Sequence, residues 1–431
     1  MFSRRIANYY RKTDFRSSIG WLSVVLTMFL LVARLFHVST KAIAGQTPPS
    51  QPIPASYFGM HIHHMVVPDG KNPLTPWPNA QVREWRLWDA YTMWPYLEPA
   101  KGQWHFEILD KSLQLAEEHG TGVILTLGLT PTWASARPHE HSTYRPGWAA
   151  EPKDIEDWRN FVRTVASRYK GRIHLYEVGN EPNLKIFWTG TTEQMIELTH
   201  EAHDIIKSID PTALIVSPSA TGVNGVNWLA DFLNKGGGQY VDIIGFHLYV
   251  SPKPPEAMVP LAQQVKKIMV EHGVGKKPLW DTESGWMPPS QFESEELAAG
   301  YLARSYILLW SQGVERFYWY AWDNREFMTL HLTSSDTLNP TEAGRAYFVT
   351  QEWLLGARMD WCKEGADHTW ACQLNHGGNP RWVVWNPDQN KIFNMPAVWR
   401  VRHSVPLLGN ERPSDGKSIE VGPVPVLLRD Y

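Results

Sequence analysis

A charge excess of either sign is missing from this chain: 41 Lys+Arg stand against 44 Asp+Glu in 431 residues, a formal net charge of -3. Such balance gives no electrostatic handle for nucleic acid or for a strongly acidic partner. Cysteine is nearly absent, with only Cys362 and Cys372. The two flank a turn-like stretch, Lys363 to Asp367. That spacing suits either a local disulfide across a hairpin in an oxidising compartment or two buried thiols. No Asn-x-Ser/Thr acceptor with a permitted middle residue occurs, so N-glycosylation is not indicated. What is there instead is apolar and aromatic: hydrophobic content is 43%, charged content 20%, and tryptophan numbers 22. This is an ordinary globular composition with ample core. Part of the tryptophan must pack inside, because each ring buries a large area. The remainder suits sugar binding, since aromatic faces stack on the apolar C–H faces of pyranose rings.

Residues 1–44 read as a segment outside the fold. Arg4, Arg5, Arg11, Lys12 and Arg16 form a basic leader, Ile19 to Ala33 is a nearly uninterrupted apolar run, and Ala42-Ile43-Ala44 offers a small-x-small cleavage site. The pattern is that of a secretory signal. The rival is an uncleaved membrane anchor, for which the run is short. Either way the positive end stays inside and the remainder is secreted, periplasmic or tethered outside the cytoplasm. Residues 45–54 carry four prolines from Gln46 onward and read as a linker.

From about residue 55 short apolar runs alternate with helical periodicity. The strand candidates are Tyr57–Ile62, Val82–Trp88, Gly122–Gly128, Ile173–Gly179, Ala213–Pro218, Val241–Leu248, Lys277–Thr282 and Arg316–Ala321. Apolar residues recur at helical spacing over Leu109–Glu118, Ile155–Tyr169, Thr192–Ser208, Pro260–His272 and Glu295–Gln312. Eight strand–helix repeats predict an α/β chain closed as a (β/α)8 TIM barrel over residues 55–356, rather than an open sheet. The first connection, Met65 to Gln81, is proline-rich and predicts a loop or broken helix. A last helix, Thr341–Leu355, closes the barrel. Residues 357–431 then change character. Thr369–Leu374, Arg381–Trp385, Ala397–His403 and Val424–Arg429 read as strands of a small β-rich accessory domain. So small a sheet needs either extra strands from the segment before the barrel or firm packing on the barrel itself.

In such a barrel the chemistry sits just past the strand C-termini. The fourth run ends in Gly179-Asn180-Glu181-Pro182-Asn183 and the seventh in Trp280-Asp281-Thr282-Glu283-Ser284-Gly285-Trp286. Each places one glutamate at the mouth, on opposite sides of the ring. Two carboxyl groups flanking a scissile glycosidic bond are what glycoside hydrolysis requires. One is protonated to assist the leaving oxygen and the other ionised to attack the anomeric carbon.

Asn180-Glu181-Pro182 together with Glu283 resembles clan A of the glycoside hydrolases, whose catalytic glutamates follow strands four and seven. The segments Glu177–Asn183 with Phe187-Trp188, and Trp280–Trp286, are similar to glycoside hydrolase family 39, including its bacterial exopolysaccharide endoglycosidases and beta-xylosidases. Arg86, Trp94, Leu97-Glu98-Pro99, Gly102 and Trp104 match the clan's strand-two pattern. The resemblance covers roughly residues 55–355 and implies a retaining glycosidase. It makes Glu181 the acid/base and Glu283 the nucleophile. Asn180 would bind the sugar 2-OH and Arg86 would hold Glu283 ionised. His247 and Tyr249 would bond the nucleophile and the sugar, and Trp322 would floor the subsite of the cleaved residue. Ser284 departs from the family, which often has an aromatic residue there.

Other residues near the mouth are sugar-binding candidates by position: Trp188 and Trp286 beside the two glutamates, Trp133 after strand three, and His61 after strand one. His61, His63 and His64 lack the carboxylate pattern of a metal site, and no metal or cofactor is expected. Glu177, Asp281 and Glu98 are expected to be structural. The partner is a polysaccharide or oligosaccharide, and the chain is expected to be a monomer. The competing function is a non-catalytic carbohydrate-binding pseudoenzyme of the cell envelope. Binding alone would not need the carboxyl pair.

Overall fold

The computed structural model describes residues 48–68, 75–78, 81–336 and 339–430. The signal or anchor reading of residues 1–44 falls outside them, as do residues 45–47 of the linker. Among the described residues no helix is long and apolar enough to cross a membrane.

The barrel strands are β1 (Phe58–Met60), β2 (Glu84–Leu87), β3 (Gly122–Leu127), β4 (Leu175–Val178), β5 (Leu214–Val216), β6 (Ala220–Thr221), β7 (Ile244–His247), β8 (Leu279–Ser284) and β9 (Val314–Trp319). They pair in parallel in the order β5-β4-β3-β2-β1-β9-β8-β7-β6. The ring closes because β5 and β6 are two pieces of one barrel strand. Val216 bridges Ile243 and Asn180 bridges Ser219, both in parallel sense. The fifth run, read as one strand, is therefore interrupted between Val216 and Ala220. The sixth, seventh and eighth barrel strands are β7, β8 and β9.

Around the ring run α1 (Trp94–Leu97), α2 (Glu107–Glu118), α3 (Ile155–Arg168), α4 (Thr192–Ile209), α5 (Gly222–Asn234), α6 (Met258–Glu271), α7 (Glu295–Ser311) and α8 (Glu342–Leu354). Their ends follow local chemistry. Asp154 caps α3 by accepting from Glu156 N–H, and Thr191 with Gln194 forms a reciprocal capping box on α4. α3 then turns Trp158, Phe161, Val162 and Val165 into the barrel wall. The first connection carries no helix in its described residues. Two helices, α1 and α5, lie outside the periodic segments: α1 is a single turn, and the first turn of α5, Gly222-Val223-Asn224-Gly225, carries two poor helix formers.

Gly356, at φ 75°, turns the chain out of α8 into the accessory sheet. That sheet has the order β10-β11-β12-β17-β14-β15, built from Arg358–Glu364, Trp370–His376, Asn379–Trp385, Val426–Arg429, His403–Pro406 and Arg412–Pro413. A separate ribbon pairs β13 (Lys391–Asn394) with β16 (Ser418–Val421). Ala397–His403 is not a strand. Pro396 and the left-handed Arg400, at φ 50°, bracket a single 3-10 turn over Ala397–Trp399, and pairing starts only at His403. Cys362 and Cys372 face each other across β10 and β11 and are bonded.

The sheet packs firmly on the barrel. Trp370, Leu374, Trp385 and Leu427 join the same apolar core as the barrel strands and helices. Trp385 Nε1 donates to Glu256 Oε1 at 2.8 Å, and a Cβ on Gly300 of α7 would lie 2.7 Å from the Pro423 carbonyl. Covered on two sides, α7 is buried at nearly every position from Ala298 to Ser311, so it lacks a polar face.

Candidate active site

Arg86 on β2 and Glu177 on β4 point into the barrel, one layer below the mouth. Arg86 is fully buried and binds three partners: Nε donates to Glu177 Oε2 at 2.6 Å, Nη1 to Glu283 Oε2 at 2.8 Å and Nη2 to Asn180 Oδ1 at 2.7 Å. Burial works against its charge, and the carboxylates of Glu177 and Glu283 more than offset that. Glu177 accepts also from Thr126 Oγ1 at 2.9 Å, Ser219 Oγ at 2.6 Å and Thr282 Oγ1 at 2.7 Å. Burial pushes its carboxyl up, but Arg86 and the hydroxyl donors outweigh this and hold it below the usual carboxylate range. Glu177 is thus the anionic anchor of the site, with every acceptor position directed at a donor.

Above this layer the chain turns at Gly179, whose φ of 73° belongs to glycine's range, and Glu181 itself sits at φ 43°. A left-handed glutamate is strained by roughly 1–3 kcal/mol. It is held there by Glu181 N–H donating to Ser219 O at 2.9 Å and by its own carbonyl accepting from Leu184 N–H at 2.8 Å. A carboxylate oxygen of Glu181, one of Glu283 and a ring nitrogen of His247 all lie within 4.8 Å of one another. These atoms are the ligands a metal would find here, and a cation would compete with the Arg86 guanidinium already bonded to Glu283.

Glu283 accepts from Tyr249 OH at 3.2 Å on its other oxygen. Burial raises its carboxyl well above the usual range; Arg86 pulls it down, and negative charge on Glu181 adds to the rise. Two carboxyls this close do not ionise together, so the pair carries one proton. Thr282 Oγ1 lies 2.7 Å from Glu177 Oε1, 2.8 Å from Ser219 Oγ and 3.1 Å from His247 Nε2. Burial pushes the His247 imidazole down. Its Nδ1 lies 2.9 Å from Glu181 Oε1. Glu283 faces two donors, Arg86 and Tyr249.

A cavity of about 370 Å³ opens at the same mouth, on the side of β9, β1, β2 and β3. Its walls include His63, Asp89, Tyr91, Tyr144, Tyr320 and Phe327. Asp89 accepts from Tyr144 OH at 2.5 Å and from Tyr320 OH at 2.7 Å. Burial first, then the Asp89 charge, pushes both phenols far up, and Glu283 contributes to each. They remain donors, and the cavity therefore adjoins the carboxyl pair.

The sequence candidates divide on this geometry. Glu181, Glu283, Asn180, Arg86, His247 and Tyr249 converge, except that His247 bonds the acid/base and not the nucleophile. His61 is buried under the site, 2.9 Å from Thr282 O, with its ring 4.9 Å from that of Tyr320. The tryptophans go elsewhere. Trp322 packs on Phe348 of α8, Trp286 stacks on Trp319 and donates to Lys253 O, and Trp188 donates to Thr191 O. Trp133 donates to Glu98 O and carries Lys101 on its face. None of the four lines the cavity. Tyr320, Asp89, Tyr144 and His63 hold the cavity positions instead. The phase of side chains past the end of β9 is lost at Trp319, so alternation could not separate Tyr320 from Trp322. Glu177, Asp281 and Glu98 are structural: Asp281 accepts from Ser284 Oγ, and Glu98 from Trp94 Nε1 and Gly102 N–H.

A closed (β/α)8 barrel with a paired-carboxyl centre at its C-terminal mouth defines the class. The sequence profile of glycosyl hydrolases family 39 matches residues 80–320, and the chain belongs to that family. Among curated relatives it is 28% identical over 192 residues to a beta-xylosidase of Geobacillus stearothermophilus, 37% of each chain. It is 35% identical over 88 residues to endo-1,4-beta-xylanase 2 of Claviceps purpurea, 20% of this chain and 24% of that one. The chain thus spans well under half the length of the curated relatives it matches. Among solved structures, a family 39 glycoside hydrolase from Bacteroides cellulosilyticus WH2 superposes with a TM-score of 0.69 at 19% identity, covering 88% of this chain and 81% of that one. A GH39 beta-xylosidase from Caulobacter crescentus gives 0.63 at 17%, covering 89% and 97%. Those two likenesses establish the fold.

Proposed function

We propose that this chain is a retaining glycosidase that cleaves β-glycosidic bonds of a polysaccharide or oligosaccharide outside the cytoplasm, as a monomer. The observation that carries the reading is the approach of Glu181 and Glu283, with carboxylate oxygens within 4.8 Å. Retaining enzymes keep their carboxyls about 5–5.5 Å apart, and inverting ones hold them wider to admit a water. Glu181 protonates the glycosidic oxygen as that C–O bond breaks, while Glu283 attacks the anomeric carbon and forms a covalent ester. Glu181, now ionised, takes a proton from water, which attacks the same carbon and releases Glu283. Asn180 Nδ2 is buried without a protein partner, while its Oδ1 is fixed by Arg86, so the amide presents a donor for the sugar 2-OH. Export is supported by the basic and apolar leader of residues 1–44 and by the Cys362–Cys372 bond, since disulfides persist in oxidising compartments.

The test is a screen of β-linked polysaccharides and aryl β-glycosides. Wild type is expected to turn over at least one. Glu181→Gln is expected to lose ~10²–10⁴-fold on substrates with poor leaving groups. A wild type that binds a glycan tightly and cleaves none would establish the pseudoenzyme instead.

A further inference from the structure

Strand β8 carries Thr282 and Glu283 side by side, and both side chains face into the barrel. Thr282 Oγ1 meets Glu177 Oε1 at 2.7 Å, and Glu283 accepts from Arg86 at 2.8 Å. Successive residues of a regular strand point to opposite faces. The strand is not regular here. Asp281 pairs with Phe317 of β9 and Ser284 with Trp319, so β8 takes three steps where β9 takes two. The extra residue is a β-bulge, which bends the strand and re-aims a side chain. It turns Glu283 towards the mouth.

Asp281 stands where the bulge begins and is fully buried. Its neighbour Trp280 packs inside the barrel with Ile124, Val216 and Tyr318. Asp281 therefore faces the helix layer, where its charge bears on the phenols of Tyr57 and Tyr306. A carboxyl in that apolar layer is costly unless it is hydrogen-bonded. One oxygen, Oδ1, takes three donors: Ser284 Oγ at 3.0 Å, Glu283 N–H at 3.3 Å and Leu248 N–H at 3.3 Å. Oδ2 has no partner among the described residues. The three donors clasp the nucleophile from two sides. Glu283 and Ser284 are the bulge itself. Leu248 lies between His247 and Tyr249, whose hydroxyl reaches the other oxygen of Glu283 at 3.2 Å. Ser284 is also the position at which the sequence departs from its family.

We propose that Asp281 is a positioning residue for the nucleophile: its Oδ1 holds the bulge that aims Glu283 and ties it to the segment bearing Tyr249, from the far side of the strand and without touching substrate. That Glu283 is a nucleophile rests on the glycosidase reading; that Asp281 places its carboxylate does not.

The experiment compares two variants of the full chain. Asp281→Leu suits the apolar layer and offers no acceptor. Asp281→Asn keeps Oδ1 and exchanges only the oxygen that has no partner. Crystal structures read the placement without turnover. The asparagine variant is expected to keep the bulge and the Glu283–Arg86 bond, and the leucine variant to shift the Glu283 carboxylate by about 1 Å, a displacement that costs ~100-fold in rate. On any β-glycoside that wild type cleaves, the leucine variant is expected to lose about that much in kcat, equally for 2,4-dinitrophenyl and unactivated leaving groups, with KM little changed. The asparagine variant is expected to regain most of the loss. A folded leucine variant with Glu283 in place or with wild-type kcat overturns the proposal, as does an asparagine variant that loses as much. If the leucine variant does not fold, Asp281→Ala replaces it; if neither folds, the residue is structural alone and the proposal falls. The expected displacement together with a wild type that cleaves nothing would uphold the placement and remove the glycosidase reading.

Discussion

His247 stands between Glu181 and Thr282, with Nδ1 2.9 Å from Glu181 Oε1 and Nε2 3.1 Å from Thr282 Oγ1. Thr282 is therefore a positioning residue two bonds removed from the chemistry. Thr282→Val removes the support on Nε2 and loosens the ring against Glu181. The expected result is a loss of about tenfold or more in kcat on unactivated glycosides. A 2,4-dinitrophenyl glycoside, which needs no protonation to leave, should lose far less. Equal losses on both substrates would mean a merely structural role.

Arg86 gathers Glu177, Glu283 and Asn180 with separate nitrogens. A lysine ammonium is a point charge without that fork. Arg86→Lys is expected to depress kcat by ~100-fold while the chain still folds. Arg86→Met leaves buried carboxylates uncompensated, which typically costs ~3–5 kcal/mol. Urea denaturation of the two variants checks the ordering.

At the opposite end of the barrel, burial lifts Glu84 to about 7 from its ordinary 4.5, with Arg316 acting against the rise. Between those two pH values the native chain holds a proton that the unfolded chain has lost. Stability from this group is thus present in full below 4.5 and is lost as pH rises towards 7, with a slope of up to ~1.4 kcal/mol per pH unit. Melting temperature is expected to fall between pH 5 and 7, and Glu84→Gln to flatten that slope. An identical slope in the variant would rule out Glu84 as its source.

Trp286 sits two residues past the strand that carries Glu283, yet its indole is buried against Trp319 and Tyr301. Trp286→Ala is expected to lose ~3–5 kcal/mol of stability. The milder Trp286→Phe should lower the melting temperature and leave KM unchanged. A change in KM without a change in stability would return this tryptophan to the cleft.

The division between what could and could not be read in the sequence is itself physical. The ring of strands was legible because each is a short apolar run ending in polar residues, and Glu181, Glu283, Asn180, Arg86 and Tyr249 lie within or just beyond such runs. The support of Glu181 was not, since the Thr282–His247 contact joins residues 35 apart in sequence. Tryptophan misled for a related reason. An indole beside a catalytic residue can face the sugar or the helix layer, and only packing decides. The cavity wall was hidden in loops, where Asp89 and Tyr91 take left-handed φ values that no periodicity announces. In the accessory sheet, Pro396 and Arg400 broke a run whose composition is that of a strand.

The central claim is that Glu181 and Glu283 stand too close to admit a water between them and the anomeric carbon, so that cleavage passes through an ester on Glu283. Proton NMR of the first-formed sugar, recorded before mutarotation, tests it directly on any β-linked substrate that is turned over. The β-anomer should appear first. First appearance of the α-anomer would mean a single inversion by water and would contradict the account.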